Sequence, residues 1–186
     1  VSRKANPFTD SVALTAMRTI YHNIRTACED PENRSAREAM MLAATQGGIA
    51  FSNASVTLIH GMSRPMGAMF HIPHGLSNAM LLPAVTAWSV DESQDRYAKC
   101  SRIMGMSDDA KDDKQAVETL VRELKALNRD LSVPNPAQYG IKESVWVDSL
   151  EMMAEQALLS GSPANNPKIP SSDEIVDLYK QVWAAQ

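Results

Sequence analysis

Residues 60–75 read HGMSRPMGAMFHIPHG, and they hold three of the chain's four histidines: His60, His71 and His74. A neutral imidazole is the commonest protein ligand for a metal and the one side chain that titrates unperturbed near neutral pH. Three glycines, two prolines and three methionines share the stretch, and Arg64 is its only charged residue. That is a poor composition for a solvated loop and a reasonable one for an enclosed site. Pro65 cannot donate a backbone hydrogen bond to residue 61 and biases Arg64 away from helical dihedrals. A helix carrying Val56, Leu58 and Ile59 is therefore predicted to kink or stop just past His60. Pro73-His74-Gly75 reads as the start of the next helix, Leu76 to about Trp88, where backbone N–H groups are unpaired and the dipole is positive. Two helix ends would then aim their imidazoles at one place, as in sites built between the helices of a bundle. Pro83 fits a bend in the second helix. By spacing alone the histidines match no compact zinc signature, so metal binding competes here with core and capping histidines.

Working outward, Asn6-Pro7 pairs a capping residue with a proline at the first helical position. Behind it Ala13, Met17, Ile20, Ile24 and Ala27 recur at threes and fours to about Cys28, and Glu29 to Asn33 is a polar turn. Ser35-x-x-Glu38 has the form of a capping box and predicts the start of a second helix. From Ala39 to Phe51 that helix is apolar on nearly every side, which predicts a place at the centre of a bundle. Gly47-Gly48 costs it roughly 1 kcal/mol per glycine against alanine, so another helix is expected to pack closely there. Ser52-Asn53 then punctuate. Downstream, helices are expected near Ser93 to Met104, along Val117, Leu120, Val121, Leu124 and Leu127, and over Ser144 to Leu159. A second capping box, Ser171-x-x-Glu174, starts a closing helix with Ile175, Leu178, Tyr179 and Val182. Segments 132–136 and 162–170 read as connectors, and the charges from Asp108 to Lys114 as a solvated face. Met62, Met66 and Met69 read as gap-filling side chains, and His22 as a solvated residue on a polar face. No period of two persists, so the expected fold class is all-α, a helical bundle.

At 186 residues the chain is expected to be one domain, 1–186, built on a single core. Hydrophobic residues make up 44%, yet no run approaches the ~20 apolar residues of a membrane span, and no secretory leader is visible. A net charge of -4 with scattered Lys and Arg argues against nucleic acid as a partner. Two cysteines, Cys28 and Cys100, without C-x-x-C fit a reducing, cytoplasmic setting.

The segment IHGMSRPMGAMFHIPHGLSNAMLLPAV resembles the metal-site segment of the iron-containing alcohol dehydrogenases, the group that includes lactaldehyde reductases and 1,3-propanediol dehydrogenases. The likeness extends from NPFTD and GIAFSNA to the NP-x-x-P and EIVDLY-type ending. It rests most specifically on a histidine followed fourteen residues later by PHG-x-x-NA-x-LLP. The resemblance places that family's two late metal ligands on His60 and His74 and gives His71 no ligand role. The family's other two ligands, in a D-x-x-x-H pattern, have no counterpart: Arg18, Val56, Gly67 and Phe70 stand four residues before the four histidines. Nothing resembles the family's glycine-rich phosphate turn either, and the chain begins with Val. The expectation is a C-terminal domain, cut just after the first ligand pair, with the N-terminal dinucleotide-binding domain absent from this chain.

The resemblance implies reversible hydride transfer between a small primary alcohol or aldehyde and NAD or NADP, with the metal as Lewis acid. Fe(II) is the implied metal, and Zn(II) suits the same donors. The nicotinamide cofactor would be bound mainly by the absent half, and this chain alone is expected to be inactive. The implied partners are the small alcohol or aldehyde, the N-terminal half of the same protein and further copies in a homo-oligomer. One departure matters. Many members carry a second histidine four residues after the first late ligand, where this chain has Arg64. Arginine does not deprotonate in proteins, so a proton-carrying role passes to His71, the candidate catalytic residue, or to water. The alternative is a non-enzymatic helical module that keeps a relic of the site.

Overall fold

Asn6 opens the first helix with a reciprocal cap. In the computed structural model, which describes residues 1–184, its side-chain oxygen accepts from the Thr9 N–H at 3.1 Å while Thr9 Oγ1 accepts from the Asn6 N–H at 2.9 Å. Helix α1 then runs Pro7–Glu29, followed by α2 Arg34–Ala54, α3 Leu58–Phe70, α4 His74–Ser89, α5 Gln94–Ile103, α6 Asp113–Asp130, α7 Glu143–Leu159 and α8 Ser172–Ala184. Short 3-10 turns lie at Val90–Ser93 and Pro163–Asn165. Among the described residues there is no strand, and the fold is all-α, as the missing period of two requires. None of these helices is long and apolar enough to cross a membrane.

The chain divides into two compact units, one of residues 1–55 and 93–123 and one of residues 56–92 and 124–186. In the first, α1 and α2 form a hairpin whose buried line is small: Ala16 from α1, and Ala36, Ala43 and Ala50 from α2. Arg96 on α5 donates to Asp10 on α1 at 2.7 Å. Arg102, at the end of α5, donates to the Asp113 carboxylate and the Lys111 carbonyl, both at 2.8 Å, which ties down the charged turn before α6. That turn bears the charges read as a solvated face, and Asp109 is almost fully exposed.

The second unit contains a continuous apolar core. Leu58, Met62 and Met66 of α3 meet Leu81 and Val85 of α4, Trp146, Leu150 and Met153 of α7, and Ile175, Leu178, Tyr179 and Val182 of α8. Each buried Leu, Val, Met or Phe contributes roughly 1.5–3 kcal/mol by leaving water. The Tyr179 hydroxyl donates to the Met62 carbonyl at 2.7 Å, and burial pushes its acidity well out of the working range. The capping box at α8 is present in both directions, Ser171 N–H to Glu174 Oε2 at 2.8 Å and Glu174 N–H to Ser171 Oγ at 3.2 Å.

Several local expectations need correction. The cap of α2 is Asn33, whose side chain accepts from the Ala36 N–H at 3.0 Å, so the Ser35-x-x-Glu38 pattern lies one turn inside the helix. That helix runs through Ser52-Asn53 to Ala54 and is not central in this chain: Met41 is 71% exposed, Leu42 59% and Phe51 54%. No atom lies within 4 Å of where a Cβ would stand at Gly47 or Gly48, so no helix packs closely there. Finally, of the kink or stop expected just past His60, the stop does not occur: α3 continues through Pro65 to Phe70. A proline inside a helix costs about 3 kcal/mol. Met62 and Met66, both fully buried on either side of it, supply an offset of that size.

Candidate metal centre

His60 is the third residue of α3 and His74 the first residue of α4, so both rings stand on the N-terminal turns of helices. Neither helix start has a side-chain cap; Thr57 and Pro73 precede them in extended conformations. The chain reverses between α3 and α4 over only His71, Ile72 and Pro73, and this brings the two imidazoles together. Their centroids lie 5.1 Å apart with planes inclined at 60°. The pair read from the sequence is thus a pair in space.

The spacing of the two rings is compatible with one shared ion. Two imidazoles each bonded at about 2.1 Å to the same cation, about 90–110° apart, have centroids separated by about 4.6–5.3 Å. The protonation state suits it as well. Burial first, then the neighbouring His74 and the Arg64 charge, hold His60 below the ordinary imidazole value, so the ring stays neutral and keeps a lone pair. Among the described residues no cluster of three or more His, Cys, Asp or Glu side chains converges.

The surroundings add two residues that the sequence did not single out, Asn78 and Gly61. Asn78, one turn after His74 on α4, places its amide nitrogen 3.1 Å from His74 Nε2, and its own Oδ1 is buried without a partner. Turning that amide over would let the orphaned oxygen accept from a protonated Nε2, and the choice between orientations follows the tautomer. The spacing of four on a helix is the signal that could have found Asn78. Arg64, one turn after His60, is exposed and donates through Nη1 to Ser162 Oγ at 3.2 Å. Gly61 lies against the 3-10 turn after α7: a Cβ there would come within 2.8 Å of Pro163 Cγ.

His71 ends α3 in a left-handed conformation, φ 54° and ψ 33°. Its side chain is exposed, and its carbonyl accepts from the Tyr139 hydroxyl at 3.3 Å. No ring contact joins it to His60 or His74 as that pair is joined. His22 lies exposed on α1, in the first unit, as its polar face predicts. Met62 and Met66 are core residues, and Met69 packs partly buried against the same core.

Comparison with known proteins places this architecture. The model of the C-terminal part of the Fe-containing alcohol dehydrogenase family matches residues 1–183. The 1,3-propanediol dehydrogenase of Citrobacter freundii is 32% identical over 98% of this chain and 46% of its own length. The lactaldehyde reductase of Escherichia coli (strain K12) is 30% identical over 98% of the chain and 47% of its own. The crystal structure of a 1,3-propanediol oxidoreductase superposes with a TM-score of 0.91 at 31% identity, covering 97% of this chain and 47% of that one. The chain thus spans about half the length of the curated relatives it matches.

Proposed function

The chain belongs to the iron-containing alcohol dehydrogenase family as its C-terminal part, and from that premise we propose that it is the metal-binding half of an enzyme interconverting small primary alcohols and aldehydes with NAD or NADP. The observation that carries this is the His60–His74 pair, with its 5.1 Å centroid separation. The chemistry a divalent ion, Fe(II) or Zn(II), supplies at such a pair is Lewis-acid polarisation of a substrate oxygen. The residues of this chain do the rest of the positioning. Half-buried, neutral His60 on α3 and His74, the first residue of α4, would hold such an ion between them. Arg64, held by Ser162, presents a fixed positive charge one turn from His60 and attracts a polar or anionic substrate group. Arginine passes no proton, so His71, exposed in the turn before His74, is assigned proton transfer.

The relatives' names describe alcohol and aldehyde oxidoreductases, which supports the substrate class. In the full-length protein, His60→Ala and His74→Ala are each expected to abolish metal retention and turnover together, read by elemental analysis and nicotinamide absorbance. Wild-type metal content in either variant would show that these rings are not the ligands.

A further inference from the structure

The turn between α3 and α4 is held more firmly than a three-residue connection needs. Its first residue, His71, has positive φ, a conformation uncommon for any residue with a side chain and tolerated mainly by Gly, Asn, Asp and His. The Ile72 side chain is buried in the core. The Ile72 carbonyl folds back onto α3 where the helix has no side chain: a Cβ at Gly67 would stand 3.1 Å from that oxygen and 3.9 Å from Ser77 Oγ. On the other side the Tyr139 hydroxyl donates to the His71 carbonyl.

Tyr139 is itself anchored. Asn135 and Gln138 exchange bonds through their side chains, Asn135 N–H to Gln138 Oε1 at 2.9 Å and Gln138 N–H to Asn135 Oδ1 at 2.8 Å. The Tyr139 N–H donates to the Asn135 carbonyl at 2.9 Å. After the turn, the Ser77 N–H and hydroxyl bond the Pro73 and His74 carbonyls, each at 3.0 Å, which fixes the first turn of α4.

Resting on the assignment of His60 and His74 as metal ligands, we infer that Gly67, Tyr139 and the left-handed backbone of His71 form a clasp that sets where His74 stands relative to His60. They are positioning residues, which tune metal affinity without touching the ion. The His71 backbone does this independently of its ring. A two-ligand contribution depends on the angle between α3 and α4, and that angle is decided in these three residues. Groups that orient a metal ligand from outside the coordination shell are worth about 10–100-fold in affinity.

The test is Zn(II) affinity of the full-length protein by chelator competition, with thermal midpoints recorded for every variant. Tyr139→Phe is expected to weaken Zn(II) binding about tenfold at an unchanged midpoint. Gly67→Ala and His71→Val, which crowd the Ile72 carbonyl and disfavour positive φ, are expected to weaken it at least as much. His71→Asn and His71→Gly, which accept the left-handed conformation and remove the imidazole, are expected to bind Zn(II) as the wild type does. Wild-type affinity in both Tyr139→Phe and His71→Val overturns the clasp. So does equal weakening across Asn, Gly and Val at position 71, which would assign the effect to the ring. Should His74→Ala also leave Zn(II) affinity unchanged, the ligand assignment itself fails and the clasp with it.

Discussion

The imidazole of His60 is half-buried, faces a second imidazole and lies one turn from Arg64, and each of these disfavours its protonated form. Its folded pKa therefore lies below the ordinary value of 6.5. Between the two values the unfolded chain binds more protons than the folded one, so stability rises with pH across that window. Read downward, stability begins to fall as pH drops past about 6.5 and levels off below the folded pKa. Asp10 acts lower on the scale. The Arg96 hydrogen bond holds its carboxylate below the usual 3.8, so its contribution stands above that value and is lost as pH falls through the folded pKa. In metal-free protein, His60→Asn is expected to flatten the urea-unfolding free energy just below pH 6.5 while leaving the limb below pH 3.8 in place. An unchanged slope in the upper window would assign it to another group. The histidine pair was legible at this scale because its two members flank a proline-marked turn of short, countable length. Tyr139 was not, since its hydroxyl reaches a carbonyl 68 residues away and nothing local marks that contact.

Helices were read well where caps and stripes agreed, as at Asn6-Pro7 and Ser171-x-x-Glu174, and badly where composition stood in for contact. In α2 the apolar run from Ala39 to Phe51 looked central. The buried line is instead Ala36, Ala43 and Ala50, spaced by sevens along one face. Hydrophobicity reported the side chains' character and said nothing of which ones have a neighbour. The glycines make the same point in reverse, because the pair that looked packed is free and the single one beside His60 is confined. Gly61→Ala would place a methyl 2.8 and 2.9 Å from Pro163 Cγ and Cδ, atoms of a rigid ring that cannot swing aside. It is expected to cost about 1–3 kcal/mol in denaturant unfolding and to loosen His60 with it. Gly47→Ala and Gly48→Ala, with open space around them and helical backbone on both sides, are expected to stabilise this chain by up to about 1 kcal/mol each. Equal destabilisation at all three positions would show that helix packing, and not the Pro163 contact, sets the penalty.

At the scale of the whole molecule, the chain spans about half the length of the curated relatives it matches. A dinucleotide site of the doubly wound kind needs a strand, a tight glycine turn and a helix whose N-terminal amides meet the pyrophosphate. Among the described residues there is no strand to begin such a unit. The glycines with positive φ lie elsewhere: Gly105 and Gly161 each stand two residues past the end of a helix, and Gly140 lies in the turn before α7. Gly47 and Gly48 sit inside α2, where their amides belong to the helix. Residues 1–186 prepared alone are therefore expected to show no heat of binding with NAD(H) or NADP(H) at millimolar ligand in titration calorimetry, with or without Zn(II). Micromolar affinity for either nucleotide would mean that this helical half carries a cofactor site of its own, and the division of labour proposed here between a metal half and a nucleotide half would have to be given up.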